Sequence, residues 1–133
     1  MELTIKNGDL LTLQNEINSV LPKTKNTVLK FYLTALFEKS IDALKPFNKL
    51  KEGIIKEYGT EEENGNVSIK QFKTEGLDPR FAKESDLTEE FKKYLELINQ
   101  ETTISYKTIP VKEFDKIESD EVYIILNKFV NLD

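Results

Sequence analysis

Hydrophobic positions alternate at the start of the chain, then recur at helical spacing, and each change of period marks an element. In residues 2–6, Leu3 and Ile5 alternate with polar neighbours, which predicts a short strand with one buried face. Asn7-Gly8 predicts a turn, and a hairpin folding back onto Leu10 to Leu13 is one outcome. Leu10, Leu13, Ile17, Val20 and Leu21 follow helical spacing behind Asp9 as a cap, which favours a helix over 10–21 ended by Pro22.

Residues 25–58 form the longest periodic segment. Leu33, Leu36, Ser40, Ala43, Phe47, Leu50 and Ile54 repeat at alternating spacings of three and four. Leu29, Phe37, Ile41 and Leu44 widen this stripe into a core face. Pro46 cannot donate a hydrogen bond to the Asp42 carbonyl, so it should kink the helix or divide it. Gly59 is the expected C-cap.

Residues 60–66 read as a polar turn, 67–69 as a short strand and 73–84 as irregular chain. A second helix is expected over 86–100, capped by Ser85 or Asp86, with Leu87, Phe91, Tyr94, Leu95 and Ile98 on its apolar face. Thr102 to Phe114 has strand character, with Pro110 at an edge or a strand end. Ser119-Asp120-Glu121 then resembles a helix start, and Val122, Ile125, Leu126, Phe129 and Val130 share a helical face. The run from Val122 to Leu126 also suits a strand, so both readings stand.

These elements predict a mainly α member of the α+β class, spanning 1–133 as one domain. A long kinked helix packs against two or three shorter helices. A small antiparallel sheet pairs the N-terminal strand with the 102–111 region.

Composition narrows the chemistry. The chain has neither Cys nor His. That excludes disulfides, thiol nucleophiles, the Ser-His-Asp triad, and cysteine or histidine metal sites. Net charge is −5, and Arg80 is the sole arginine. An acidic chain repels a phosphate backbone, and guanine or phosphate readout favours Arg, so nucleic acid is not expected as a partner. The opening residues lack an apolar signal region, and the most apolar window, Val28 to Phe37, is too short to span a bilayer. No membrane association is expected; the protein should be cytosolic or assembled in a cytosol.

Two acidic clusters invite a metal or catalytic reading. Glu61 to Asn66 lacks the ligand spacing of an EF-hand loop and reads as a solvated turn. Glu113, Asp115, Glu118, Asp120 and Glu121 surround an expected helix start, where acids stabilise the N-terminus without any catalytic role. The five glycines are dispersed, so there is no phosphate loop. No catalytic residue, cofactor site or metal site is assigned. Lys45, Lys49, Lys51 and Lys56, opposed by Glu52 and Glu57, read as a solvated face with local ion pairs. Phe31 and Tyr32 point away from the Leu33/Leu36 stripe, so the long helix is apolar on more than one side. Phe31, Tyr32, Leu36, Phe37 and Phe47 are the candidate interface residues.

Three stretches resemble a family of small uncharacterised tailed-bacteriophage proteins encoded among head and tail genes. The opening L-T-I-K-N-G-D-L-L-T-L-Q-N-E-I-N-S-V-L looks like the family's start. K-E-Y-G-T-E-E-E-N-G-N-V-S-I at 56–69 is similar to its turn after a long helix, and F-K-K-Y-L-E-L-I-N-Q-E-T-T-I at 91–104 to its second helix leading into a strand. The stretches lie in the family's order and cover about half the chain; the region from Lys73 to Glu84 departs from the pattern. The resemblance implies a non-enzymatic virion component of head, neck or tail, or an assembly factor, acting through contacts with other virion proteins or with itself as a homo-oligomer. It supplies no catalytic residues. The alternative is a small acidic regulatory or inhibitory protein that binds a host protein.

Overall fold

The computed structural model describes residues 1–58, 60–61, 67–74, 76–117 and 123–131. Among these the fold is mainly helical α+β, with five α-helices and a small antiparallel two-stranded sheet as its longest pairing. The chain forms two compact units, residues 1–45 with 101–133, and residues 46–100.

In the first unit, β1 (Glu2–Lys6) pairs antiparallel with β4 (Glu101–Ser105), Leu3 opposite Ile104 and Ile5 opposite Thr102. Ile5 and Ile104 are buried, while the Thr4 and Thr103 hydroxyls meet at 2.8 Å on the solvated side. The expected strand and its expected partner therefore pair, with the alternation deciding which face is covered.

α1 (Asn7–Val20) follows with no intervening turn, and this corrects the Asn7-Gly8 turn, the hairpin and the Asp9 cap. Asn7 is buried, and its side-chain oxygen accepts the Thr102 hydroxyl at 2.6 Å. The residue most suited to a turn is thus held against β4. Leu10, Leu13, Ile17 and Val20 form the buried stripe of α1.

α2 (Thr27–Ala43) starts on Asn26, whose side chain accepts the Leu29 N–H at 3.0 Å. Leu29, Leu33, Leu36 and Ser40 are its buried positions. Ser40 is the polar member of that stripe. Its hydroxyl donates to the Phe37 carbonyl at 2.6 Å and accepts the Gln14 amide at 3.1 Å, so a buried oxygen joins α1 to α2 with its lost hydration offset by two hydrogen bonds. α2 also lies against β4.

The predicted long helix is divided rather than continuous. Leu44 leaves helical geometry (φ −89°, ψ 0°), and α3 (Lys45–Tyr58) begins beyond it. Pro46 occupies the first turn of α3, where a missing N–H has no cost. The stripe also ends early: Phe47 is buried, but Leu50 is 59% exposed. The expected cap Gly59 lies outside the described residues.

After β4, Ile109–Pro110 (β5) leads into α5 (Val111–Phe114), and Val130–Asn131 (β6) pairs in parallel with β5. Over the described residues 123–131 the expected helix does not form, and residues 123–126 are not a strand. Ile124 and Ile125 turn, and Leu126–Phe129 make a 3-10 turn. Two backbone groups that a helix would use internally go elsewhere. The N–H groups of Ile125 and Leu126 donate to the Glu16 carboxylate at 3.2 and 2.9 Å.

In the second unit, β2 (Thr60–Glu61) pairs antiparallel with β3 (Val67–Ser68). Residues 70–73 run against 86–88: the Thr88 N–H reaches the Gln71 carbonyl at 3.0 Å and the Lys73 N–H reaches Asp86 at 2.9 Å. α4 (Glu89–Asn99) is capped by Thr88, whose hydroxyl accepts the Phe91 N–H at 3.2 Å and donates to the Lys70 carbonyl. Ser85 and Asp86 are not its caps; Asp86 instead accepts the Lys83 N–H at 2.8 Å and closes the preceding 3-10 turn. Tyr94 of α4 lies between Phe47 and Phe91, ring centres at 6.2 and 6.4 Å, with the Lys51 ammonium 5.7 Å from its ring.

Candidate functional site

Among the described residues no group of three or more carboxylates is placed to hold a metal ion, and no helix is long and apolar enough to cross a membrane. Of the second acidic cluster, Glu113 is buried and pairs with the Lys116 ammonium at 3.0 Å, while Asp115 is exposed. Glu118, Asp120 and Glu121 lie outside the described residues, as do Glu62 to Asn66 of the first acidic stretch.

The candidate interface residues separate by burial. Leu36 and Phe47 are 2% exposed and have no surface to offer. Phe37 and Tyr32 are half-buried, and Phe31 is 58% exposed. On a helix of 3.6 residues per turn, Phe31 stands opposite the Leu29/Leu33/Ser40 stripe, because the stripe is committed to α1 and β4. Val28, one turn back on the same side, is 51% exposed.

A residue that the sequence reading overlooked completes this face. Lys107, just beyond β4, carries its ammonium 5.5 Å from the Phe31 ring centre and 5.8 Å from that of Tyr32. The two rings meet edge to face, centres 5.6 Å apart at 78°. A cation near two aromatic rings at an exposed site is worth about 0.5–1 kcal/mol and leaves the rings uncovered. The outer side of α2 thus presents exposed aromatic surface beside one lysine, with the exposed carboxylates of Glu38 and Asp42 further along the same side.

The start of α2 also borders a cavity of about 480 Å³. Val20 at the end of α1 lines it, with Lys23, Thr24, Lys25 and Asn26 and, among the described residues, Lys116, Ile117 and Tyr123. Lys23 and Lys25 are exposed and form no ion pair among the described residues. One signal was legible beforehand: from Ile17 to Phe37 there are three lysines and no acid, in a chain of net charge −5.

A third polar feature lies in the second unit. The Arg80 guanidinium meets the Asp78 carboxylate at 2.8 Å, and that carboxylate also accepts the Arg80 N–H at 3.0 Å. The guanidinium first, and the N–H second, hold the Asp78 carboxyl below its ordinary value; Arg80 is raised in turn. A lowered carboxyl contributes stability above the unfolded aspartate range and loses it as pH falls through the folded value. In Arg80→Gln the Asp78 titration midpoint, followed by carboxyl NMR, is expected to rise towards that of a free aspartate. An unchanged midpoint would contradict the assignment. The pair is at the surface and shapes the turn at Pro79–Phe81, with the Phe81 ring centre 5.7 Å from the guanidinium.

Comparison of the chain with protein-family models, with curated proteins and with solved structures yields no match.

Proposed function

We propose that this protein is a non-enzymatic phage structural or assembly component that works through protein–protein contacts, with Val28, Phe31, Tyr32 and Lys107 as its contact face. The observation that carries the reading is Phe31, an aromatic ring 58% exposed on the side of α2 opposite its buried stripe. Exposed aromatic residues backed by a rigid helix are the usual anchors of protein interfaces, since a ring buries much area for little conformational entropy. The phage assignment rests on the resemblance of the three sequence stretches.

The test is cosedimentation with phage particles and their assembly intermediates. The protein is expected to travel with heads, tails or their precursors. Phe31→Asp is expected to reduce that association about tenfold or more, the usual effect of losing an interface anchor. Because the ring is exposed, the same variant should melt within about 3 °C of the parent. Absence from both particles and intermediates would overturn the proposal, and so would association indifferent to Phe31→Asp.

A further inference from the structure

We infer that the open edge of β1 pairs with β1 of a second copy of this chain, antiparallel and centred on Thr4, so that two β1–β4 sheets join edge to edge. Among the described residues β1 pairs with β4 alone, which leaves its other edge without a strand. The register shows which backbone groups face that edge. The Tyr106 N–H reaches the Met1 carbonyl at 3.0 Å, and the same register continues through Leu3 opposite Ile104 and Ile5 opposite Thr102. Hydrogen-bonded positions alternate in an antiparallel pair, so Leu3 and Ile5 spend their backbone groups on β4. Glu2, Thr4 and Lys6 turn theirs outward. A hollow beside the strand touches Leu3, Thr4, Ile5 and Lys6 in succession. Successive side chains point to opposite faces, so this hollow follows the backbone edge itself.

The occupant follows from charge. The strand reads Glu2-Leu3-Thr4-Ile5-Lys6 and is self-complementary. About a twofold axis at Thr4, each Glu2 lies opposite a Lys6, each Leu3 opposite an Ile5, and Thr4 opposite its own copy. Thr4 exchanges both backbone bonds with that copy, and each Glu2 carbonyl takes the other chain's Lys6 N–H. The charged pairs share the solvated face. The Leu3/Ile5 pairs extend the apolar face, where Ile5 is buried and Leu3 is half-buried.

Charged residues often guard a strand edge against a second copy, but in this register they attract it. A parallel pairing sets Glu2 against Glu2 and Lys6 against Lys6, and a slip of one residue puts apolar side chains on the solvated face. The edge of β4 lacks the symmetry: centred on Thr103, it sets Glu101 against Ser105. The pairing goes beyond the contact role of the Phe31 face and does not depend on it. Strands of five residues make a small contact, so the dimer is expected to be weak.

The test follows the whole chain by sedimentation velocity and amide NMR from about 10 μM to about 1 mM, the range in which weak complexes form. A monomer–dimer equilibrium is expected. As the dimer fills, the Thr4 amide should slow its exchange with solvent several-fold, while the Leu3 amide stays protected at every concentration. Glu2→Lys and Lys6→Glu should each weaken self-association about tenfold, because like charges then lie opposite on both sides of the axis. An equimolar mixture of the two variants restores opposite charges and should form a heterodimer at least as tight as the parent dimer. Glu38→Lys and Lys112→Glu make the same changes of net charge at exposed positions off the strand. Alone or mixed, they should associate within about twofold of the parent.

A chain still monomeric at the highest concentration, or a dimer whose Thr4 amide exchanges as fast as in the monomer, would overturn the inference. So would a Glu2→Lys/Lys6→Glu mixture no tighter than either variant, or an equal gain in the Glu38→Lys/Lys112→Glu mixture. Each of these results leaves the Phe31 reading standing, since cosedimentation tests that face separately.

Discussion

Phe129→Ala is expected to destabilise the first unit by about 3–5 kcal/mol, the range for removing a fully buried aromatic side chain. The ring is 0% exposed and stands edge-on to Tyr106, centres 4.7 Å apart at 74°. Truncation would lose the transfer free energy of the ring, open a cavity in the core and forfeit the ring pair. Total stability of a small domain is about 5–15 kcal/mol, so the loss is a large fraction of it. Phe129→Leu keeps most of the apolar volume and should cost about 1–2 kcal/mol. Urea unfolding followed by tyrosine fluorescence measures both. A loss under about 1 kcal/mol in Phe129→Ala would mean that the C-terminal segment does not belong to this core.

Glu16→Ala is expected to cost about 2–3 kcal/mol. It leaves two backbone N–H groups without an acceptor, next to Ile125 at 8% and Leu126 at 0% exposure. The carboxylate does for the Leu126–Phe129 turn what a capping residue does for a helix, but from 109 residues away in sequence. Glu16→Gln retains one acceptor oxygen without the charge and should cost about half as much. Hydrogen exchange supplies a local readout: the Ile125 and Leu126 amides should exchange far faster in Glu16→Ala, while the Ile104 amide in β4 changes less. Equal acceleration at all three sites would indicate global loosening in place of a lost anchor.

Both variants probe the segment where the sequence was least informative. Val122, Ile125, Leu126, Phe129 and Val130 do share a helical face, and the same run has strand propensity. Neither property decides the outcome, because the Ile125 and Leu126 N–H groups bond to a carboxylate on α1, those of Asn127 and Lys128 bond within the turn, and Val130–Asn131 pairs with β5. Local preference is worth a few tenths of a kcal/mol per residue, less than those long-range bonds.

The candidate site shows the same division. That Phe31 and Tyr32 fall off the core stripe followed from their spacing alone. That Leu36 and Phe47 are unavailable, that Lys107 meets both rings, and that Lys116 lines the same cavity as Lys23 and Lys25 required the fold. No periodicity relates residues 31 and 107.

The sequence by itself determined the elements governed by neighbours three or four residues away: strand β1, the buried stripes of α1 and α2, the interruption at Pro46, the acidic first turn of α4, and the lack of His and Cys chemistry. Only the tertiary structure decided where α1 begins, which residue caps α4, how the C-terminal segment is held, and which aromatic side chains remain at the surface. Those outcomes depend on hydrogen-bond partners and packing surfaces brought together from distant parts of the chain. Asn7 shows how the two levels meet: its type suits a turn, and a threonine 95 residues away places it instead at the buried start of a helix.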